Sequence, residues 1–123
     1  MVGLRFGEFL RQLRLNHSPA VTQAELASSI SRGKMMVSLI EQGKNAPPQG
    51  ELLEQIIRTL SLDEKDAVKL RFLAASERGS IPNDIVEYFY SNPNIYQAIL
   101  VGMKFERTDS DWYEIIEKFG EEK

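Results

Sequence analysis

Thr22–Lys44, TQAELASSISRGKMMVSLIEQGK, is the stretch whose reading decides the fold. Gln23–Ile30 carries Leu26, Ala27 and Ile30 at helical spacing. Lys34–Gln42 carries Val37 and Ile40 on one face, with Met36 at its edge. A polar break, Ser31-Arg32-Gly33, separates the two. Each segment is shorter than an isolated helix needs to persist in water, so each must gain stability by packing on the other. Thr22 is the expected N-cap of the first, and Glu25, three residues on, completes a capping box. Ser31 or Gly33 starts the second helix. Gly43 ends it, as a residue at ease in the left-handed conformation.

Two short helices meeting steeply through a three- or four-residue turn form the helix-turn-helix arrangement. Two motifs then stand in register without a gap. Thr22-Gln23-Ala24-Glu25-Leu26-Ala27 matches TQxELA, and Ser38-Leu39-Ile40-Glu41-Gln42-Gly43-Lys44 matches SLIExGK. On these residues the chain resembles the Xre-type family of helix-turn-helix DNA-binding proteins, the group of the lambdoid phage repressors and Cro. The resemblance covers roughly the first 60–75 residues, and it implies a DNA-binding domain of five short helices.

Periodicity outside the motif gives the same count. Leu4–Leu15 reads as a first helix with Phe6, Phe9, Leu10 and Leu13 as its apolar stripe. Asn16-His17-Ser18-Pro19 ends it, because Pro19 cannot continue a helix and restrains its predecessor. Asn45-Ala46-Pro47-Pro48-Gln49-Gly50 is a turn-rich connection. Glu51–Leu60, with Leu52, Leu53, Ile56, Ile57 and Leu60, is the fourth helix. Asp63–Glu77, with Ala67, Leu70, Leu73 and Ala74, is the fifth, with Ser61 and Asp63 as cap candidates. Beyond Arg78-Gly79-Ser80 three more helices are predicted: Asn83–Tyr90, Asn94–Phe105 and Trp112–Phe119, the last capped by Asp109 or Ser110. Tyr88-Phe89-Tyr90 has strand character, but the proline spacing and the caps favour helix. Gly120–Lys123 reads as a frayed end. The expected fold is all-α: a five-helix, phage-repressor-like helix-turn-helix domain over 1–78, then about three C-terminal helices over 79–123.

Composition narrows the function. The chain has 123 residues, no cysteine and one histidine, His17. That removes a disulfide framework, a thiolate metal site and any pair of histidines, and His17 on its loop reads as a solvated side chain. Nothing approaches the apolar length of a membrane span, and Met1–Leu15 is too charged for a signal peptide, so a cytoplasmic location is expected. No phosphate-binding glycine loop, CxxC, HExxH or nucleophile with a base is present, so neither catalysis nor a cofactor nor a metal is expected. The net charge of −3 is unevenly spread. Residues 1–50 hold six Lys/Arg against three Glu, a net +3, and residues 51–123 hold nine against fifteen acids, a net −6. A front half that faces phosphates and a rear half with another task fit that polarity.

DNA is held by phosphate contacts that position and base contacts that specify. The resemblance assigns phosphate contacts to Gln23 at the start of the second helix and to Lys44 and Asn45 just past the third, and Thr22, beside the free N–H groups at that helix start, is counted with them. Arg32, where the family usually has a small or aliphatic residue, turns outward and adds another. Register places Gly33, Lys34, Met35, Ser38 and Leu39 at base edges in the major groove. Lys34 can donate to guanine O6 or N7, and Ser38 to a base or a phosphate. Met35 and Leu39 depart from the polar residues common in the family; they can lie against thymine methyls or belong to a protein-binding surface. The resemblance also pairs Arg14 with Glu41 across the first and third helices, a bidentate staple with a structural role.

The function expected is that of a sequence-specific regulator of transcription on double-stranded DNA, a homodimeric repressor on a palindromic operator. The alternatives are a protein-binding module on the same fold, such as an antitoxin or inhibitor, and a DNA-associated protein without a defined operator. Residues 80–123 hold more apolar surface than a solvated tail keeps. Tyr88, Phe89, Tyr96, Ile99 and Trp112 are the expected contributors to a homodimer contact, with packing inside the chain as the alternative.

Overall fold

Apolar stripes at three- and four-residue spacing can be buried only if the helices that carry them turn those stripes toward one another. The computed structural model, which describes residues 4–121, is all-helical, with eight helices and no strand among the described residues. The chain divides into two compact units, Met1–Ile81 and Pro82–Lys123. The first unit holds α1 (Phe6–Asn16), α2 (Gln23–Ser29), α3 (Lys34–Glu41), α4 (Glu51–Thr59) and α5 (Glu64–Arg78). The second holds α6 (Asn83–Ser91), α7 (Pro93–Lys104) and α8 (Asp109–Phe119).

The stripes of the first unit converge on one core. Phe6 and Leu10 of α1, Leu26 of α2, Val37 of α3, Ile56 of α4 and Leu70 of α5 are all fully buried. Seven-residue α2 and eight-residue α3 are held by this core rather than by their own propensity. Their starts are as the sequence predicts for Thr22. Its hydroxyl accepts from the Glu25 N–H at 3.0 Å, and the Thr22 N–H donates to the Glu25 carboxylate at 2.8 Å. Hydrogen bonding to the carboxylate, chiefly from the Thr22 N–H and next from its hydroxyl, holds the Glu25 carboxyl below its ordinary pKa. Asp63 likewise caps α5, accepting from the Asp66 N–H at 2.8 Å.

Helix ends in this fold use one device repeatedly, a left-handed residue just past the helix with two backbone bonds reaching back. After α3, Gly43 has φ 78°, the Gly43 N–H donates to Ile40 O at 3.1 Å, and the Lys44 N–H donates to Leu39 O at 2.9 Å. After α2 the left-handed residue is Ser31, φ 56°, with Arg32 N–H to Ala27 O at 2.9 Å. Gly33, by contrast, has φ −85° and serves as the N-cap of α3. The turn therefore places its strain on Ser31 and leaves the glycine's freedom unused. Ser61 and Glu106 close α4 and α7 in the same way, at φ 49° and 52°.

Gly7 of α1 sits where the backbone of α3 arrives. A Cβ there would overlap the carbonyl oxygens of Ile40 and Glu41. This close approach lets the backbones of α1 and α3 meet with no side chain between them. Beside it, the Glu77 carboxylate of α5 accepts from the Phe6 N–H at 2.6 Å, fastening the first turn of α1.

The second unit is built differently. Gly102 is its only buried residue among those described. Trp112 of α8 lays its ring over Gly102 of α7, close enough that any Cβ there would collide with it. Phe89 stands edge-on to both Tyr90 and Tyr96, with centroids 5.5 and 6.2 Å away. Between α7 and α8 an open groove of about 570 Å³ is lined by Ala98, Val101, Trp112 and Ile115, with Arg107 and Asp111 among its polar groups. The start of α8 differs from the expected Asp109 or Ser110. Thr108 is the N-cap, and its N–H donates to Asp111 at 2.9 Å, because a short Asp at the third position can reach back as a Glu would. Of the predicted frayed end, Gly120 still donates to Ile116 O at 2.9 Å, while Glu122 and Lys123 lie outside the described residues.

Candidate nucleic-acid interface

The surface of interest is the outer face of α3 with the residues that flank it. Burial of Val37, Ile40 and Glu41 turns the opposite side of α3 outward. Lys34 and Met35 are exposed, Met35 at 69%, and Ser38 and Leu39 are half-buried beside them. Gly33 is exposed, with open space where a side chain would be. Gly33 at the N-cap and the other four along the first two turns of α3 make up the part of a helix-turn-helix that reaches base edges. Ser38 Oγ accepts from Gln42 Nε2 at 2.9 Å, which leaves its hydroxyl hydrogen free to donate.

The flanks carry the cations and amides. Arg32 is exposed, and its guanidinium donates to its neighbour's carbonyl, Ser31 O, at 3.1 Å. Lys44 and Asn45 are exposed, and their backbone N–H groups both donate to Leu39 O, at 2.9 and 3.2 Å. Gly43's left-handed turn thus fixes where these two side chains begin. Thr22 is exposed at the head of α2, with its hydroxyl and N–H both engaged in the capping box.

Behind α3 lies a buried ion pair. Arg14 Nε donates to Glu41 Oε2 at 2.7 Å and Arg14 Nη2 donates to Glu41 Oε1 at 2.8 Å. Both side chains are almost wholly enclosed, 7% and 3% exposed. Arg14 Nη1 donates to Val21 O at 2.9 Å, and the Val21 N–H donates to Arg14 O at 3.0 Å. One guanidinium therefore joins the end of α1, the approach to α2 and the end of α3. The hydrogen bonds to Glu41 raise the Arg14 pKa further above its ordinary value, against the opposing effect of burial. Gln23 adds a third bond: its Nε2 donates to Glu41 Oε1 at 3.0 Å.

Sequence reasoning brings Gln23 and Glu41 into the motif but does not join them, because 18 residues separate them and nothing in either short signature encodes the contact. Gly7 is the other residue it passes over. An isolated glycine inside a helical pattern is itself a signal of close backbone approach. His17, read as solvated, is half-buried, with Nδ1 2.9 Å from Pro19 O.

A short helix held by an interhelical staple with its first turns facing outward, preceded by a capped helix at a steep turn, defines a helix-turn-helix domain. The family described as Helix-turn-helix domain matches residues 5–70, more than half of the chain, and the chain belongs to that DNA-binding family. No curated protein and no solved structure matches the chain. Among the described residues no helix is long and apolar enough to cross a membrane.

Proposed function

We propose that this chain is a homodimeric, sequence-specific regulator of transcription of Xre type, a repressor that occupies a palindromic operator. The observation that carries the reading is the outward face of α3, with Lys34, Met35 and Ser38 presented on a helix whose rear is locked by Arg14 and Glu41. Gly33, Lys34, Met35, Ser38 and Leu39 read bases. Thr22, Gln23, Arg32, Lys44 and Asn45 hold phosphates. A nonpolar pair at Met35 and Leu39 favours thymine methyls over hydrogen-bonded readout at those positions.

In this reading residues 1–78 bind DNA and residues 79–123 pair two copies. A unit with one buried residue among those described and several exposed aromatics stays incompletely covered by itself. An aromatic side chain buries roughly 150–250 Å². Tyr88, Tyr90, Tyr96, Phe105, Tyr113 and Phe119 are each more than half exposed, and a standard stable interface takes roughly 800 Å² from each partner. Tyr88, Tyr96 and Ile99 would meet the second copy directly. Phe89 and Trp112 support them from within the unit.

Met35 at 69% exposure also favours a second reading, a protein-binding module such as an antitoxin, in which the α3 face docks a protein. Titration of the full chain into a selected and a random duplex at several salt concentrations separates the readings. A regulator binds the selected duplex at least roughly 1,000-fold more tightly. Equal, strongly salt-dependent affinities mean a DNA-associated protein without an operator, and no binding to either leaves the protein-binding module. Sedimentation of the full chain, with Tyr96→Glu and Ile99→Glu beside it, tests the pairing. A monomer at micromolar concentration in the parent contradicts it.

A further inference from the structure

Gln23 is placed among the phosphate contacts, and a lone surface glutamine is a poor one. It has three rotatable bonds whose ordering opposes binding, and an amide that can present either its oxygen or its nitrogen. An oxygen turned to a phosphate would repel it.

The structure resolves both difficulties with one contact. Gln23 is half-buried, and its Nε2 donates to Glu41 Oε1 at 3.0 Å. A carboxylate only accepts, so this bond fixes the nitrogen, not the oxygen, toward Glu41. A primary amide has two N–H groups, and the second remains for another acceptor. A carboxylate behind a phosphate-binding group would ordinarily weaken it by charge repulsion. Here Arg14 meets the same carboxylate through two bonds, at 2.7 and 2.8 Å, and cancels that charge. No unpartnered buried side-chain polar atom remains among the described residues, and of the Gln23 amide one N–H is engaged by Glu41 while the other is left to donate.

We propose that Glu41 is a positioning residue for DNA binding: charge-neutralised by Arg14, it orients the Gln23 amide so that its second N–H is already aimed at a phosphate. This rests on the phosphate role of Gln23 above. The buried ion pair then has two tasks, holding α3 and setting DNA affinity through a residue on α2. Because the phosphate is common to all sequences, the second task changes affinity without changing sequence preference.

The test is a cycle of four full-length proteins: the parent, Gln23→Ala, the double variant Arg14→Met with Glu41→Leu, and the triple variant. The double variant strands no charge and removes the acceptor for Gln23. Affinity is measured on a selected and a random duplex at a temperature where all four are folded by circular dichroism. Gln23→Ala is expected to weaken both duplexes roughly tenfold, as for loss of a hydrogen bond to a charged group. The double variant loses most of that same factor on both, and the triple variant loses nothing further. Losses that multiply, or a double variant that binds like the parent, overturn the positioning role. Parental affinity in Gln23→Ala instead removes the phosphate contact itself, a separate failure. If the double variant does not fold, the Gln23 side-chain amide protons of the parent decide by NMR. Protection of one proton, lost in Glu41→Gln, supports the link, and two rapidly exchanging protons in the parent overturn it.

Discussion

Removing the carboxylate of Glu41 by Glu41→Ala tests the centre of the domain. The substitution deletes three hydrogen bonds, from Arg14 Nε, Arg14 Nη2 and Gln23 Nε2. Arg14, 7% exposed at its side chain, is left charged with only Val21 O as a partner. Breaking one side of a buried ion pair costs about 3–5 kcal/mol, most of it the desolvated charge left behind. That is a large share of the roughly 5–15 kcal/mol that holds a domain of this size together. At about 4–8 °C per kcal/mol, the thermal midpoint should fall by roughly 12–40 °C. Circular dichroism melts and urea titrations of parent and variant read this directly. Arg14→Met combined with Glu41→Leu should recover all but about 1 kcal/mol, since neither charge is then stranded. A midpoint within about 2 °C of the parent for Glu41→Ala would refute the reasoning, because it requires two charges already solvated.

Gly7→Ala should destabilise the first unit by about 1–3 kcal/mol, because its Cβ meets backbone oxygens of Ile40 and Glu41 that cannot turn aside; an unchanged urea midpoint contradicts this. Ser31→Gly should do the opposite and raise stability by about 0.5–1 kcal/mol, by relieving the left-handed φ of 56° net of the glycine's greater freedom when unfolded. An unchanged or lower midpoint would show that Ser31 carries no strain. Lys44→Ala should weaken binding to every duplex alike and reduce the slope of log affinity against log salt by about one, since a phosphate contact releases counterions without reading sequence. A changed base preference with an unchanged slope would remove Lys44 from the phosphate set.

Much of this molecule is legible before any coordinates, for physical reasons that can be named. Phe6, Leu10, Leu26, Val37, Ile56 and Leu70 all fall on predicted apolar faces, since burying a stripe leaves few arrangements for five short helices. Thr22 with Glu25 announces the start of α2 because the capping box is local chemistry. The end of α2 is not legible in the same way. Gly33 is the natural candidate for the left-handed position, yet Ser31 holds it, because the packing of α2 on α3 outweighs a conformational cost of about 1–2 kcal/mol. Glu106 at φ 52° is concealed for the same reason. The Gln23–Glu41 bond is hidden in another way, since it depends on how two helices cross and not on either one's sequence. In the second unit periodicity finds all three helices, but it cannot say that Gly102 is the one residue buried there among those described. Stripes on α6–α8 show that apolar faces exist without specifying which surface covers them.

Selection from random duplexes with the full-length chain, run in parallel with Lys34→Ala, tests most directly whether α3 reads DNA. Lys34 is exposed at the first position of α3, where a donor meets guanine O6 or N7. The parent should enrich an inverted repeat with half-site centres about 34–36 Å apart, as two-fold pairing of a helix-turn-helix demands. Lys34→Ala should keep that spacing and lose preference at one or two base pairs in each half-site, at about 1–3 kcal/mol. No enriched motif in the parent, or the same motif at full strength in the variant, would contradict the reading of α3 as a recognition helix.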